Sequence, residues 1–309
     1  MPQVVFVAGA TASGKSDWAL AVAEQRGAII VNCDSVQVYQ GLRIGSGLPS
    51  EEDFARADHR LYSYVTPPQE ISAGDYRRDF FSLINGLPAN AQVLVVGGTG
   101  FYFQAIEKGM FEAPGVPVDI SEAVRRDLET LGSELLWKEL FRLDEETAHR
   151  LAPADSYRIA RALELARAGY IPSQLRKGFE AEPFPFPLLK LRVGRERSEL
   201  RTRIRARAKK MLERGLLDEV ADHLDRGLES WAPLASVGYK EAVLALREGR
   251  GEDWLLEEIC LRTGQLAKRQ ETWFKRDPEM EVYLGDESFP RFQDRVLRFF
   301  DGDGKLRPS

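Results

Sequence analysis

Short apolar runs separated by amphipathic stretches indicate alternating strands and helices in the first hundred residues. The runs 4–8, 28–33 and 92–96 are rich in β-branched, aliphatic and aromatic residues, as expected of strands buried on both faces of a sheet. Apolar residues that follow Trp18, and those over 73–86, recur at helical spacing. This alternation predicts an α/β fold, with a parallel sheet flanked by helices.

The rest of the chain has a mainly helical pattern. Apolar residues recur at helical spacing from about 120 to 170 without a strand among them, which predicts an all-helical insertion. Residues 188–193, apolar at alternate positions, predict one more strand. Further helices are predicted at 197–213, 216–226, 239–248 and 252–274. The predicted domains are a core of 1–115 with 188–309 and a helical insertion of 116–187, bounded by proline-containing segments.

Composition favours an ordinary globular protein. Of the 309 residues, 43% are hydrophobic and 29% charged, and the three histidines and two cysteines lack the spacing of a structural zinc site. No apolar run approaches the roughly 20 residues that a membrane span needs, and the chain enters a strand without a basic leader. We therefore expect a cytoplasmic protein with free thiols, no membrane partner and, by default, a monomeric state.

Basic residues are concentrated in two stretches although the net charge is −5. Residues 190–214 contain eleven Lys or Arg and three Glu, a local charge of +8, and a second basic cluster lies at 268–276. This segregation indicates either a basic channel for a polyanion or a solvated helix face.

A phosphate-binding loop is predicted between the first strand and the first helix. Residues 9–16, GATASGKS, match the pattern G-x-x-x-x-G-K-[ST] in the strand–loop–helix context that the pattern requires. Backbone N–H groups and the helix N-terminus attract an anion, Lys15 adds a full charge, and Ser16 offers a hydroxyl to Mg²⁺. The alternative is a chance match in a βα turn. The predicted polyphosphate-binding residues here are Gly9, Ala10, Thr11, Ala12, Ser13, Gly14, Lys15 and Ser16, and the motif does not say which polyphosphate they bind.

Candidate polar residues follow the next two strands. Asp34 should face the same crevice as the loop, where a carboxylate acts as a general base or a metal ligand; the alternative is a cap of the next turn. The third strand ends in Gly-Gly-Thr-Gly with Thr99 as a hydroxyl contact, and no Walker-B aspartate follows it, which disfavours an ordinary ATPase. In the insertion, Arg158 and Arg161 share a helix face, where they either clamp a phosphate or form surface salt bridges.

Seven blocks, in order along the chain, resemble the tRNA dimethylallyltransferase (isopentenyltransferase) family in its bacterial form. They are GATASGKS (9–16), NCDSVQVY (32–39), GGTGFYF (97–103), YRIARALEL (157–165), LRTRIRARAKKMLERGLLDEV (200–220), SVGYKE (236–241) and TGQLAKRQETWF (263–274). The first block is shared by many P-loop proteins, whereas the threonine inside the loop, the DSxQxY block and the AKRQxTW block are more specific.

The resemblance implies a P-loop kinase-like core that performs alkyl transfer. The loop holds the diphosphate of dimethylallyl diphosphate with Mg²⁺, and the acceptor is N6 of the adenosine 3′-adjacent to the anticodon of a tRNA. It implies that Asp34 is the general base and that Thr11 contacts the bridging oxygen of the leaving group. Lys15 and Ser16 resemble the ligands of diphosphate and Mg²⁺, and Asp34 is a second candidate metal ligand.

The resemblance also implies a set of RNA contacts. Arg158 and Arg161 resemble residues that reach tRNA or diphosphate. The residues that match tRNA-contacting segments are Asp34, Ser35, Val36, Gln37, Thr99, Tyr157, Arg158, Arg161, Ser236, Val237, Gly238, Tyr239, Lys240, Lys268, Arg269, Gln270, Thr272 and Lys275.

The chain departs from the family pattern at a few positions. Ala10 replaces a proline, Tyr157 a glutamine and Gly264 an arginine, and we expect a bacterial form because no zinc-finger extension follows. Three alternatives remain at this point: an adenylate isopentenyltransferase, a P-loop nucleotide kinase and a non-catalytic RNA-binding module. The basic stretches disfavour the first, and the absent Walker-B acid disfavours the second.

Overall fold

One parallel sheet forms the centre of the P-loop part of the molecule. A computed structural model describes residues 1–110, 114–179, 181 and 183–302. The strands of these ranges are β1 (Gln3–Gly9), β2 (Ile29–Asn32), β3 (His59–Arg60), β4 (Gln92–Gly97), β5 (Leu188–Gly194) and β6 (Glu281–Leu284). Their spatial order is β3-β2-β4-β1-β5-β6, and every pair is parallel. The predicted α/β fold with a parallel sheet is therefore confirmed.

The central strands explain the continuous apolar runs of the sequence. Residues 4–9 of β1 and 93–97 of β4 are buried at every position, because both faces of the sheet are covered. β1 lies between β4 and β5, with Val7 beside Val96 and Leu191. The loop that follows β1 therefore lies at the middle of the carboxyl edge, where ligands of open α/β sheets bind.

The described ranges contain fourteen α-helices, none of which is long and apolar enough to cross a membrane. In chain order they are α1 (Lys15–Arg26), α2 (Glu51–Arg56), α3 (Ala73–Asn85), α4 (Gly100–Lys108), α5 (Val118–Leu131), α6 (Ser133–Leu143), α7 (Glu145–His149), α8 (Ser156–Arg167), α9 (Pro172–Lys177), α10 (Arg197–Glu213), α11 (Leu216–Asp225), α12 (Tyr239–Glu248), α13 (Glu252–Phe274) and α14 (Phe289–Phe300).

Most predicted elements agree with the structure, with exceptions near the ends of the sheet. The predicted helices 197–213, 239–248 and 252–274 have the observed ends, and the predicted strand 188–193 is β5. The sequence analysis did not anticipate β3 and β6, which form the two outer edges of the sheet. The prediction that the chain beyond β5 is helical was therefore wrong at β6, whose Val282 and Leu284 are largely exposed.

By contacts the chain divides into two compact units. The first comprises Met1–Glu107 with the described part of Phe184–Ser309, and the second the described part of Lys108–Pro183. The second unit has its own apolar core, in which Val124, Leu136, Leu140 and Ile159 are inaccessible or nearly so. Residues 111–113, 180, 182 and 303–309, which belong to the predicted domains, lie outside the described residues.

Candidate active site

The loop 9–16 has the backbone geometry of an anion cradle. A Cβ atom at Gly9 would lie 2.5 Å from the Val193 carbonyl oxygen, so the loop leaves the sheet where only glycine fits. Gly14 has φ 90° and precedes α1, which has no side-chain N-cap. The first N–H groups of α1 therefore lack an internal acceptor and are oriented to bind an anion.

Lys15 is the first residue of α1, and its surroundings shift the pKa of its amine. In this structure Lys15 Nζ donates a hydrogen bond to the Ala10 carbonyl oxygen at 3.2 Å. Burial lowers the pKa of Lys15 to about 8, and the negative charge of Asp34 opposes part of that effect. A bound diphosphate would add negative charge at this position and so favour the protonated amine.

Asp34 follows β2, and its two carboxylate oxygens have different surroundings. Its Oδ1 accepts hydrogen bonds from the N–H groups of Val36 at 2.9 Å and Gln37 at 3.4 Å, which is the turn-capping role considered from the sequence. Its Oδ2 has no hydrogen-bond partner among the described residues, and the carboxylate lines a cavity with Thr11 and Lys15. One oxygen therefore fixes the side chain while the other is available for a proton or a cation.

Two cavities meet at the loop. The smaller, of about 330 Å³, is bounded by Thr11, Asp34, Thr99 and Gln270, together with residues 236–238. The larger, of about 470 Å³, is lined by cations of α10 and by apolar residues of the sheet and the loop after β2. The residues shared by both cavities are Lys15, Ser16, Gly47, Val96, Arg207 and Met211.

Arg207 of α10 is a site residue that the sequence analysis did not single out. Its Nη2 donates to the Ser46 carbonyl oxygen at 2.9 Å, and its charge lies between the two cavities. Burial lowers the pKa of Arg207, and the nearby carboxylates of Asp34 and Asp17 oppose this. The spacing of Arg203, Arg207 and Lys210 on one face of the basic helix was the signal available in the sequence.

Several predicted contact residues bind other parts of the protein around the smaller cavity. Thr99 Oγ1 accepts from the Ser35 N–H at 3.0 Å, which joins the ends of β2 and β4. Gln270 of α13 accepts from the Thr11 N–H at 2.8 Å and donates to the Gly98 carbonyl oxygen at 3.0 Å. Gln37 donates to the carbonyl oxygens of residues 46 and 47 at 3.1 and 2.9 Å.

Tyr239 was expected among the RNA contacts, but its side chain is fully buried. Its hydroxyl donates to Glu219 Oε1 at 2.6 Å and accepts from the Ser46 N–H at 3.2 Å. Because both hydrogen bonds are internal, Tyr239 belongs to the scaffold that shapes the cavity and is not available to a ligand. Ser236, beside it, donates to the Pro233 carbonyl oxygen at 2.7 Å.

Part of the basic stretch 190–214 is structural. Lys190 lies in β5, 5% exposed, where it pairs with Glu107 and Asp277 at 2.8 Å each. The guanidinium of Arg195 is also inaccessible and paired with acids. These two cations do not contribute to an outer basic surface. The exposed cations of α10 and the loop after it are Arg197, Arg201, Arg205, Lys209, Lys210 and Arg214.

The remaining predicted contacts lie on exposed surfaces of both units. In the first unit, Lys240 begins α12, and Lys268, Arg269, Thr272 and Lys275 follow the outer face of α13.

In the second unit, Tyr157 is 80% exposed on α8. Arg158 contacts Asp155 at 3.5 Å, and Arg161 contacts Glu164 at 2.6 Å. These are the surface salt bridges weighed from the sequence, and both arginines keep a large exposed area.

The strand–loop–helix geometry and the cations around it define a P-loop protein with a candidate site for a polyphosphate. A sequence model of the IPP transferase family matches residues 37–277. A tRNA dimethylallyltransferase of Bdellovibrio bacteriovorus is 48% identical over 300 residues, covering 96% of this chain and 97% of the relative. The chain belongs to the IPP transferase family.

Solved structures agree with this assignment. The tRNA Δ2-isopentenylpyrophosphate transferase of Staphylococcus epidermidis, 26% identical, superposes with a TM-score of 0.67 over 98% of this chain and all of that one. A eukaryotic dimethylallyltransferase acting on tRNA has the same fold, with a TM-score of 0.81 over the whole of this chain and 82% of its own, at 21% identity.

Proposed function

We propose that this enzyme transfers a dimethylallyl group from dimethylallyl diphosphate to N6 of the adenosine 3′-adjacent to the anticodon of a tRNA, releasing diphosphate. The observation that carries the proposal is the position of Asp34 in one cavity with Thr11, Lys15 and Ser16 of the P-loop. Alkyl transfer to an amine needs donors where negative charge leaves and a base where a proton leaves. Both groups border this cavity.

The donor diphosphate is assigned to the P-loop. The free N–H groups at the start of α1 and the charge of Lys15 stabilise the oxyanions as the carbon–oxygen bond breaks. Thr11 is assigned to the bridging oxygen, and Arg207, which borders both cavities, supplies a second fixed charge. Because these donors are held before the substrate arrives, they need little rearrangement during the reaction.

The donor set around the loop fits Mg²⁺. The hydroxyl of Ser16 and the carboxylate of Asp34 are oxygen ligands bordering the same cavity, and no cluster of three or more His, Cys, Asp or Glu suited to a metal occurs among the described residues. Mg²⁺ is commonly bound by few protein oxygens together with substrate phosphates and water, so Ser16 would hold it, with Asp34 as the other candidate. When bound, Mg²⁺ would neutralise part of the negative charge of the diphosphate.

The acceptor amine is assigned to Asp34. An exocyclic adenine amine is a poor nucleophile because its lone pair is delocalised into the ring. The unpaired Oδ2 of Asp34 accepts the N6 proton as the new carbon–nitrogen bond forms, while Oδ1 keeps the side chain in position. The target base must leave the anticodon-loop stack to reach the cavity, as in other base-modifying enzymes.

The tRNA is assigned to exposed cations and to the rim of the smaller cavity. RNA loops are bound through splayed bases, with phosphates held by Lys and Arg. Lys240, Lys268, Arg269 and Lys275, with Thr272, supply such contacts from α12 and α13. The rim residues assigned to the base and its neighbours are Ser35, Val36, Gln37, Thr99, Ser236, Val237, Gly238 and Gln270.

In the second unit, Tyr157, Arg158 and Arg161 are assigned to the same RNA because their side chains are exposed. Arg158 and Arg161 would exchange their surface salt bridges for phosphates, which costs little because exposed ion pairs contribute about 0–1 kcal/mol. We propose that the enzyme acts as a monomer in the cytoplasm, where tRNA matures.

The test is transfer of label from dimethylallyl diphosphate to bulk tRNA, with AMP and ATP as rival acceptors. Asp34→Asn should lower kcat by about 10²–10⁴-fold with tRNA binding retained, because the proton acceptor is lost. Asp58→Asn is the matched control, since this carboxylate pairs with Arg60 at the surface. Label in free AMP, or phosphate transfer from ATP without prenyl transfer, would contradict the proposal.

A further inference from the structure

Two arginine side chains outside the P-loop donate hydrogen bonds to carbonyl oxygens of the loop. Arg203 Nε donates to the Ala12 carbonyl oxygen at 3.0 Å, and Arg195 Nε donates to the Ser13 carbonyl oxygen at 2.8 Å. Both guanidinium groups also pack against Gly14, where a Cβ atom would lie 3.0 Å from Arg195 Nη2 and 3.2 Å from Arg203 Nη2. Arg203 also lines the larger cavity, whereas Arg195 lines neither cavity.

The Arg195 hydrogen bond acts on one particular peptide group. In a planar trans peptide, the carbonyl of Ser13 and the N–H of Gly14 point in opposite directions. Holding the Ser13 oxygen towards Arg195, which lines neither cavity, therefore directs the Gly14 N–H away from Arg195. That N–H donates to no described residue, which leaves it for the anion.

Arg195 is itself fixed from several directions. Its guanidinium is 1% exposed, with Nη1 donating to Glu199 Oε1 at 3.1 Å and Nη2 to Asp286. Its charge also lies over the Trp18 ring, 5.7 Å from the ring centre. Asp286 lies two residues after the end of β6, so this network joins the outer strand of the sheet to the loop after β1.

The charge of Arg195 is already compensated inside the protein. Two carboxylates, Glu199 and Asp286, contact it, and they also lie within 4 Å of Arg203. A bound diphosphate is therefore attracted mainly by Lys15 and Arg207, whereas Arg195 fixes the orientation of the Ser13 peptide group. This distinguishes its role from that of the cations lining the cavities.

We infer that Arg195 is a positioning residue for the donor, which holds the Ser13 peptide so that the Gly14 N–H faces the diphosphate. The inference rests on the proposed function only for the identity of the donor, since the loop geometry applies to any diphosphate. Asp286 and Glu199 act through Arg195 by holding its guanidinium in place.

The experiment uses the full chain with inorganic diphosphate and Mg²⁺ as the probe, measured by calorimetry without tRNA. Arg195→Gln should raise the diphosphate Kd, and the KM for dimethylallyl diphosphate, by about ten-fold or more, since a hydrogen bond to an anion is worth roughly 1.5–3 kcal/mol. The KM for tRNA should not change. Asp286→Asn should produce a smaller change of the same kind, and Arg195→Lys should not restore the wild-type Kd.

The matched control is Arg295→Gln. Arg295 pairs with Glu281 of β6 at 2.9 Å, so the variant weakens the same outer strand without touching the P-loop. It should lower Tm while leaving the diphosphate Kd at the wild-type value. If Arg195→Gln does not fold, Asp286→Asn and Glu199→Gln make the same comparison.

The inference is overturned if the Arg195 and Asp286 variants bind diphosphate like wild type, or if Arg295→Gln weakens binding to the same extent. Loss of prenyl transfer to tRNA in every form of the protein, with the Kd pattern intact, would count against the proposed function and leave the positioning role standing.

Discussion

Single charged residues around the P-loop differ in how their charge is balanced. Arg195 is neutralised by two carboxylates, whereas Lys15 and Arg207 are opposed by burial and have lowered pKa values. A cation that is costly to keep charged binds an anion more strongly, because the anion replaces the solvation that burial has removed. We therefore expect the proposed diphosphate site to be centred on Lys15 and Arg207.

Lys15 predicts a pH dependence of donor binding. With a pKa of about 8 in the free protein, the amine is protonated below that pH and loses its charge above it. Because diphosphate binds the charged form, its Kd should be constant below pH 7 and about ten-fold higher at pH 9. Calorimetric titration with diphosphate from pH 6.5 to 9.5 measures this change.

The ionisation of diphosphate also changes with pH, and a comparison with Lys15→Arg separates this effect from the titration of Lys15. The guanidinium remains charged through this range, so the variant should show only the dependence that belongs to the ligand. Parallel pH profiles for the two proteins would mean that Lys15 does not titrate near pH 8.

At the scale of elements, the loop between β2 and α2 forms part of both cavities, and one carboxylate accepts hydrogen bonds from three consecutive residues of it. Glu219 of α11 accepts hydrogen bonds from the N–H groups of residues 43, 44 and 45, and from the hydroxyl of Tyr239. Gly47 at the end of this segment borders both cavities. The carboxylate of Glu219 thus holds the wall that the two cavities share.

Glu219→Gln should loosen this wall. An amide has one acceptor oxygen in place of two, so at least one of these exposed or partly buried N–H groups loses its partner, at a cost of about 0.5–1.5 kcal/mol. We expect a lower Tm and faster amide exchange at residues 43–45, followed by hydrogen-exchange mass spectrometry. Tyr239→Phe removes one hydrogen bond of the same group and should have a smaller effect. Unchanged exchange at 43–45 in Glu219→Gln would show that the loop is held by other contacts.

The elements that the sequence predicted are those whose apolar pattern is set by two-sided burial or by one helix face. β1, β4 and the helices α10, α12 and α13 belong to this class. β3 has two residues and β6 has four, which is too short for an alternating apolar pattern to be recognised. Their place in the sheet depends on pairing with strands far away along the chain, which a local pattern does not show.

The candidate site was predictable to a similar extent. The loop 9–16 and Asp34 follow from local motifs, and the structure brings them to one cavity. Arg207 and Arg195 belong to one basic stretch of the sequence, yet their different roles depend on acids and carbonyls far away along the chain. Tyr239 matches a block that resembles a contact segment, but burial by α11 decides its role.

At the scale of the whole molecule, each compact unit has a core of its own. Leu140→Ala removes a fully buried side chain from the second unit and should cost about 2–5 kcal/mol there. Hydrogen exchange should accelerate within residues 118–167, while the diphosphate Kd of the first unit stays at the wild-type value. A parallel loss of diphosphate binding would mean that the two units do not keep their structure independently.

The uneven charge of the whole chain predicts how tRNA binding responds to salt. Neutralised phosphates release counterions, so the logarithm of affinity falls linearly with the logarithm of salt concentration. Lys268→Gln and Lys275→Gln should each weaken tRNA binding and reduce that slope by about 0.7–0.9. Filter binding between 50 and 300 mM KCl measures both, with Lys138→Gln, an exposed lysine of α6, as the control. An unaltered slope would remove α13 from the proposed RNA surface.

The first strand and the last described helix are directly joined. Gln3 Nε2 donates to the Phe299 carbonyl oxygen at 2.9 Å, and Asp286 reaches Arg195 behind the P-loop. During synthesis on the ribosome, residues 9–16 emerge early, but the groups that complete their surroundings are translated about 270 residues later. A nascent chain therefore carries an incomplete form of the proposed phosphate site until β6 and Asp286 have been synthesised and have folded against Arg195.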